Sequence, residues 1–231
     1  MINLRRIMLL MITVSKEDYL KAILEVEGEG ESVISATLAH WLSVSPPAVS
    51  MALRRLKKDG LVRVHADGKV RLTGAGRKIA RKLTLRHHLI ERMLSEMFDM
   101  EWFKVHDEAE RLEHAVSPDF EAKLLAKLGR GGACPHGHLS ELESPLSRRR
   151  RGLLLLVDAE PGKTYRVSGI YERDRRLLEF LEARGIRPGA RVSVAGKNYD
   201  QTLTLKTAVG TTSLGNAAAG RVWVSPQADR Q

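Results

Sequence analysis

Four side chains that can bind a metal ion lie within nine residues of the sequence: His106, Glu110, Glu113 and His114. At about 100° of rotation per residue, a single helix would place all four within an arc of roughly 100°. Apolar residues form the neighbouring stripe of that helix, so its burial would bring two carboxylates and two imidazoles together at the edge of a core. A divalent cation is the simplest partner for them, because it needs several donors that converge on one point. The sequence therefore predicts a metal site on this helix.

A second pair of donors, His87 and Glu91, is spaced four residues apart on the preceding predicted helix and shares one face of it. Such a pair is common on protein surfaces, but together with the first set it predicts the second half of a two-helix metal cage. The adjacent His88 points about 100° away and is interpreted as structural. The run from Cys134 to His138 contains soft donors but lacks a second half with zinc-site spacing, so we interpret it as a structural loop.

The composition sets the class of protein. A chain of 231 residues that is 43% hydrophobic can form more than one core. A single cysteine excludes disulfides within the chain and favours the reducing cytoplasm. The apolar stretch at residues 7–12 is too short to cross a bilayer, and the charged residues after it give no signal-peptide cleavage site. We expect it to begin a packed helix, or else to precede a true start at Met11, and we expect no membrane partner.

The formal charge of +10 is unevenly distributed. Residues 44–82 contain eleven lysines and arginines against two aspartates, whereas residues 83–147 contain seven basic and twelve acidic residues. A basic segment followed by an acidic one indicates an anionic polymer bound by the first and a cation bound by the second. Uneven solvation of surface charge is the alternative.

The basic segment has the pattern of a DNA-binding unit. Helical spacing predicts helices at residues 15–27, 33–42 and 46–60, and two short alternating strands at 61–64 and 70–72 flank an Asp-Gly turn. This order predicts a winged helix-turn-helix with its third helix in the major groove. The residues predicted to face the bases are Ser45, Pro47, Ala48, Ser50 and Met51. The residues suited to phosphates are Arg54, Arg55, Lys57, Lys58 and, in the hairpin turn, Lys69. The alternative is an amphipathic helix whose basic face is only solvated.

The remainder of the chain changes character twice. Residues 76–128 have helical periodicity, with predicted helices ending near Phe98, at 105–116 and at 120–128. Residues 129–151 have the composition of a linker, and short β-type runs with turn residues then continue to residue 225, interrupted by a helix at 175–183. These runs favour a small, partly open barrel.

Three motifs carry a resemblance to a known family: the Ser-Pro-Pro-Ala-Val-Ser start of the third helix, residues 86–92 and residues 105–114. With them the chain resembles, over nearly its whole length, the diphtheria-toxin-repressor family of metal-dependent transcription regulators. The resemblance implies an α+β multidomain fold with three parts. These are a winged helix-turn-helix DNA-binding domain (1–75), a helical metal-binding and dimerisation domain (76–147), and a small SH3-like, FeoA-type β-barrel (153–226).

The resemblance also implies a primary metal site built from Asp18, Glu110, Glu113 and His114. Iron-type members have methionine and cysteine at the first two of these positions, whereas manganese-type members have aspartate and glutamate. Oxygen donors make the site harder, which suits Mn²⁺ and also admits Fe²⁺. Manganese-type members carry a glutamate where this chain has Lys21, which leaves open whether it binds one metal ion or two.

An ancillary site of the iron type is implied beside the primary one. It would use His87, Glu91 and His106, and the nearest further ligands from the barrel are Glu172 or Asp174. We therefore expect a manganese-type primary site next to an iron-type ancillary site.

The predicted function is metal-dependent control of transcription. We expect a homodimer on a palindromic operator in double-stranded DNA, with Mn²⁺ as effector, Fe²⁺ as a possible one and other divalent transition metals binding in vitro. Bound metal would cause repression of metal-uptake genes. A metal-independent winged-helix regulator that senses an organic ligand is one alternative. A dimetal hydrolase is another, but no further catalytic constellation accompanies the cluster, so no enzyme is expected.

Overall fold

The structure is a computed structural model that describes residues 4–139 and 143–227, with side chains from residue 16 onward. Within these ranges, buried apolar residues form three separate hydrophobic cores. One lies in the N-terminal part, one among the central helices and one in the C-terminal sheet. The expected packing of residues 7–12 falls outside the described side chains.

The N-terminal core is covered by three helices and a hairpin, which confirms the winged helix-turn-helix. The elements are α1 (Leu4–Gly28), α2 (Ser35–Trp41), α3 (Pro46–Lys58), β1 (Val62–Val64) and β2 (Val70–Leu72). The hydroxyl of Ser45 caps α3 by accepting a hydrogen bond from the amide of Ala48. Val49, Leu53 and Leu56 form the buried stripe of α3. Because these three residues fix one face of α3 inward, its basic face points to solvent.

The central part consists of helices, as expected, but one of them ends early. The elements are α4 (Gly74–Phe98), α5 (Val105–Leu112), α6 (Pro118–Leu128) and α7 (Pro145–Arg150). The sequence predicted that the second of these would run to residue 116. Instead a tight turn follows Leu112, in which the amide of Ala115 donates to the Leu112 carbonyl, and Ser117 then caps α6. His114 therefore lies beyond the regular helix, whereas Glu113 ends it with helical backbone angles and an amide that donates to the Ala109 carbonyl.

The C-terminal part is a six-stranded antiparallel sheet with the strand order β3-β8-β4-β5-β6-β7. Its elements are β3 (Leu154–Leu155), β4 (Thr164–Ile170), α8 (Arg175–Glu182), β5 (Arg191–Lys197), β6 (Leu203–Thr207), β7 (Gly210–Leu214), α9 (Asn216–Ala219) and β8 (Val222–Pro226). The sequence analysis missed β7, because this edge strand buries only Leu214 and so lacks the alternating apolar pattern. It also missed α7 and α9, which span six and four residues.

The connection between β4 and α8 brings the C-terminal sheet against the other two parts. Tyr171 packs edge-on against Trp41 of α2, and Arg173 donates to Glu25 of α1. Between them Glu172 turns toward α4 and α5. This short connection therefore places one carboxylate of the C-terminal part among the predicted metal ligands.

Candidate metal centre

The first cluster of candidate ligands joins α1 to the turn after α5. Nε2 of His114 lies 2.7 Å from Oδ1 of Asp18 and 3.6 Å from Oε1 of Glu113. The side chain of Glu113 is fully buried, and its Oε1 has no hydrogen-bond partner. A buried carboxylate oxygen without a partner is costly, and a cation beside Asp18 and His114 would supply the missing interaction. We define Asp18, Glu113 and His114 as the first cluster.

The surroundings of His114 favour its protonated form, with which a metal ion would compete. The hydrogen bond with Asp18 raises the pKa of His114 above its usual value, against the opposing effect of partial burial. Glu17 lies 3.3 Å from the other ring nitrogen, Nδ1. The second contact orients the ring so that Nε2 faces Asp18, as partners of ligand histidines do.

Glu110, the fourth residue of the expected primary site, lies on the other side of Glu113. Its Oε1 is 2.9 Å from Nζ of Lys21, and the same ammonium lies 2.8 Å from Oε2 of Glu113. In the described residues, Glu110 falls into a ligand group with His87 and Glu113, not with Asp18 and His114. The structure therefore brings three of the four expected primary ligands together and gives Glu110 a different neighbour.

The buried charges around Lys21 are balanced. Burial would lower the pKa of Lys21, but Glu25, Glu110 and Glu113 raise it above its usual value, so the ammonium stays charged. Conversely, burial opposes ionisation of Glu110, yet Lys21 and His87 lower its pKa to about 2. Glu110 is thus ionised throughout the physiological range.

A second cluster surrounds the fully buried Glu91 on α4. Its Oε1 lies 3.1 Å from Nε2 of His87, 3.2 Å from Nδ1 of His106 and 3.3 Å from Nδ1 of His136. Its Oε2 has no hydrogen-bond partner. Glu172 completes the cluster, with carboxylate oxygens 3.9 Å from Nδ1 of His106 and 3.5 Å from Nδ1 of His136. The expected ancillary residues His87, Glu91, His106 and Glu172 therefore do lie together.

The loop from Cys134 to His138 belongs to this second cluster as well. Its turn is held by the amide of Cys134, which donates to the His138 carbonyl. Nε2 of His136 donates to the carbonyl of Trp102 at 2.9 Å, which leaves Nδ1 facing Glu91. A backbone partner of this kind fixes the tautomer and orientation of a ligand histidine. Sγ of Cys134 lies 3.8 Å from both Nδ1 of His136 and Oε2 of Glu172.

Sequence reasoning set this loop aside because no second half with suitable spacing follows it. The structure supplies that half from α4 and from the β4–α8 connection, so Cys134 and His136 join the candidate ligands, which the sequence interpretation did not expect. The signal was present in the Cys-Pro-His spacing. The interpretation as a structural element does fit His138, since its Nε2 donates to the Ile170 carbonyl and its Nδ1 accepts from Arg148.

The carboxylates of the second cluster favour the protonated forms of His87 and His136. Burial and Lys21 would lower the pKa of His87, but Glu91 and Glu113 outweigh them and raise it to about 10. His136 also has a raised pKa, because Glu91 and Glu172 outweigh its burial. Burial keeps His88 neutral by lowering its pKa to about 4, and burial raises the pKa of the Cys134 thiol well above its usual value.

The donors of both clusters fit divalent metal ions. The first cluster offers carboxylate oxygens and one imidazole, which suit hard ions such as Mn²⁺, while the second adds a thiol, which suits softer ions. Asp174 does not join either cluster: it is exposed and its Oδ1 caps α8 by accepting from the amide of Leu177. Another described grouping of possible ligands contains His88, Glu91, Cys134 and Glu172, so the neutral His88 borders the second cluster.

The predicted DNA-contacting residues lie on one exposed face. Ala48 is half-buried, and the remaining predicted residues of α3 and its cap are exposed, as is Lys69 in the wing. Nζ of Lys69 lies 3.1 Å from a carboxylate oxygen of Asp67 in the same hairpin turn. In the wing, a groove is lined by Arg63, His65, Lys69 and Arg71 among others. Among the described residues, no helix combines the length and the apolar character that are needed to span a bilayer.

Comparison with protein-family models gives three matches in chain order. Residues 11–70 match the iron dependent repressor N-terminal DNA binding domain, residues 73–140 match the iron dependent repressor metal binding and dimerisation domain, and residues 154–226 match the FeoA domain. The first match contains Asp18 and α3. The second contains α4, α5 and Cys134, and the third contains Glu172.

Individual relatives agree with these matches. The diphtheria toxin repressor of Corynebacterium diphtheriae is 38% identical over 197 residues, which cover 81% of this chain and 87% of the relative. That of Corynebacterium efficiens is 32% identical over 197 residues, covering 81% and 86%. A solved structure of a manganese-dependent transcriptional repressor in complex with manganese has a TM-score of 0.80 at 32% identity and covers 92% of this chain and all of the other. With this architecture and these relatives, the chain belongs to the diphtheria-toxin-repressor family of metal-dependent transcriptional repressors.

Proposed function

We propose that this repressor responds to Mn²⁺, with Fe²⁺ as a second effector, and acts in the cytoplasm as a homodimer on palindromic operators of metal-uptake genes. The observation that carries the proposal is the approach of Asp18 on α1 to His114 and to the unpartnered Oε1 of Glu113. Asp18 belongs to the DNA-binding part, whereas Glu113 and His114 belong to the central part. A metal ion bound there would join the two parts.

The donors of the first cluster favour manganese as the effector. Two carboxylates and one imidazole, without sulfur, form a hard set. Such oxygen-rich sites also admit Fe²⁺, so selection between the two ions depends on coordination number and on their supply in the cell. The similar manganese-dependent transcriptional repressor was solved in complex with manganese, which supports this choice.

Joining α1 to the central helices would control DNA binding through geometry. A dimer reads two half-sites when its recognition helices enter successive major grooves about 34 Å apart. The angle between the DNA-binding part and the dimerising helices sets that spacing. The Asp18–His114 hydrogen bond is a single contact between half-buried side chains. Coordination of one ion by three residues would hold the angle more firmly. The effect is a shift of population toward the DNA-competent state, equal to the difference in metal affinity between the states.

The second cluster would link the central helices to the C-terminal sheet. We assign to it His87, Glu91, His106 and Glu172, together with Cys134 and His136. Its ligands come from α4, α5, the loop after α6 and the β4–α8 connection. An ion there would hold the sheet in place. It would thereby also hold the contact that Arg173 makes with Glu25 of α1.

Metal-dependent DNA binding tests the proposal directly. A duplex selected from random-sequence DNA with the Mn²⁺-loaded protein serves as the probe in fluorescence anisotropy. We expect Mn²⁺ to strengthen binding by about 5- to 150-fold over the chelator-treated protein, the usual range of such coupling. Asp18→Ala should lose this response and keep the weak metal-independent affinity.

Asp158→Ala is the matched control, because it removes an exposed carboxylate that belongs to neither cluster and lies near Arg149. It should respond to Mn²⁺ as the unmodified chain does. Equal affinity of the unmodified chain with Mn²⁺ and with chelator would refute the proposal, as would an unchanged metal response in Asp18→Ala.

A further inference from the structure

A buried ammonium group lies among the candidate metal ligands of α1, α4 and α5. The side chain of Lys21 is only 4% exposed. Its Nζ lies 2.8 Å from Oε2 of Glu113, 2.9 Å from Oε1 of Glu110 and 2.9 Å from Nδ1 of His87. Lysine is rarely buried unless it is paired. Here the carboxylates of Glu110 and Glu113 supply the paired charge.

The three atoms around the ammonium are themselves arranged as ligands. His87, Glu110 and Glu113 each offer a ligand atom within 4.8 Å of the others, which makes them a possible metal group in the described part of the chain. The ammonium of lysine is a compact point charge on a flexible stem. Lys21 therefore places a covalently attached positive charge where these three residues would otherwise surround an ion.

Glu113 connects this position to the first cluster. Its Oε2 contacts Lys21, while its Oε1 has no partner and lies 3.6 Å from Nε2 of His114. One buried carboxylate thus faces two cation positions. The ammonium of Lys21 fills one of them, and Asp18, His114 and Oε1 of Glu113 border the other.

We propose that Lys21 is a tethered cation that closes the position between His87, Glu110 and Glu113 to metal. The carboxylate of Glu113 then shares one divalent ion with Asp18 and His114, and no second ion binds beside it. This inference rests on the proposed function, since it assumes an ion at the first cluster. It also gives α1 a metal-independent link to α4 and α5, so that part of the junction exists before metal arrives.

The unmodified chain provides the first test. Crystals of the Mn²⁺-loaded protein are measured at the manganese edge, where anomalous scattering locates each ion. We expect a peak beside Asp18 and His114, with the Lys21 side chain still between Glu110 and Glu113. A peak within coordination distance of His87, Glu110 and Glu113 would overturn the inference while leaving the proposed function intact. Absence of Mn²⁺ beside Asp18 would instead refute the proposed function and this inference together.

The variant Lys21→Glu provides the second test, because it removes the tethered charge and adds a carboxylate at the same place. It is purified in Mn²⁺, since its carboxylates would repel without a cation. Equilibrium dialysis followed by elemental analysis should show about one more Mn²⁺ per protomer than in the unmodified chain, with a new anomalous peak near Glu110.

Lys123→Glu is the control, since it makes the same charge change on an exposed site of α6 and should leave the ion count unchanged. A folded Lys21→Glu protein with the unmodified ion count contradicts the inference. If that variant does not fold even with Mn²⁺, the anomalous map of the unmodified chain decides.

Discussion

Arg173 in the β4–α8 connection donates a hydrogen bond from Nη1 to Oε2 of Glu25 on α1 at 2.7 Å, across 148 residues of sequence. Its guanidinium also lies 5.0 Å from the ring centre of Trp41 on α2 and donates to the Trp41 carbonyl. The preceding residue, Glu172, belongs to the second cluster. Two adjacent residues of the C-terminal part therefore contact the proposed metal centre and the DNA-binding part.

Arg173→Ala should weaken the connection between these parts. Loss of a partly buried, charge-assisted hydrogen bond costs about 1–3 kcal/mol. Glu25 would then remain buried beside Lys21, with the carboxylates of Glu110 and Glu172 raising its pKa. We expect a lower melting temperature and a smaller gain in DNA affinity on adding Mn²⁺. Arg176→Ala is the control, because it removes an exposed arginine from α8 of the same part. An unchanged Mn²⁺ response in Arg173→Ala would show that Arg173 does not contribute to the coupling.

Metal affinity of the first cluster should increase with pH. The pKa of His114 is raised in the folded, metal-free protein, mainly by its hydrogen bond with Asp18. Its protonated form therefore stabilises the metal-free fold below the unfolded pKa of about 6.5, and this contribution is lost as the pH rises through the raised value. Mn²⁺ must displace that proton, so binding releases protons at neutral pH.

Isothermal titration calorimetry in buffers of different ionisation enthalpy measures this release. Asp18→Asn weakens the hydrogen bond that raises the pKa and should shift the pH dependence downward, in addition to its effect on affinity. Mn²⁺ affinity that is independent of pH between about 6 and 8 would contradict His114 as a ligand.

Cobalt provides a specific probe of the second cluster. Because Cys134 is the only cysteine in the sequence, a thiolate-to-Co²⁺ charge-transfer band can arise only from an ion beside this residue. We expect the band in the unmodified chain and its loss in Cys134→Ser. Glu172→Gln should weaken Co²⁺ binding by about 10- to 100-fold. Asp174→Asn keeps a capping side chain on α8 and should bind Co²⁺ normally. A Co²⁺-loaded protein without the band would remove Cys134 from the site.

Gly137 is required for the loop that presents Cys134 and His136. Its φ is +88°, and a Cβ there would overlap the carbonyl oxygen of Ser168 on β4. Gly137→Ala should therefore destabilise the fold by about 1–3 kcal/mol and weaken the Co²⁺–thiolate band. Gly131→Ala is the matched control, since a Cβ at Gly131 meets nothing within 4 Å. Thermal denaturation with and without Co²⁺ measures both effects, and equal behaviour of the two variants would contradict this role.

The basic face of α3 should contribute to DNA affinity through phosphates. Replacing Arg55 or Lys57 with alanine removes one exposed charge each, so binding should weaken for all sequences. The slope of log affinity against log salt should fall by about 1 for each phosphate that the protein no longer neutralises. Met51→Ala should instead change the selected sequence, because Met51 lies exposed near the start of α3. Lys123→Ala on α6 is the control. An unchanged salt slope in both α3 variants would place the DNA elsewhere.

Much of the fold is a local property of this sequence. Helical and alternating periodicity, the Ser45 cap and the Asp-Gly turn predicted the winged helix-turn-helix, and the structure confirms that order. His87 and Glu91 could be predicted as candidate metal ligands, because four-residue spacing on a helix fixes their common face. These features depend on neighbours within a few residues, which the sequence contains.

Tertiary structure decided which donors meet. His106 and His114 belong to different clusters, because eight residues of helix place them about 12 Å apart along its axis. Folding of distant segments gives Cys134 and His136 the second half that their spacing lacks, and places Lys21 between Glu110 and Glu113. Residue types and helical spacing therefore determine which groups can bind a cation. Which of these groups can share an ion depends on the distances between segments. Sequence periodicity does not predict those distances, because the packing of the three cores sets them.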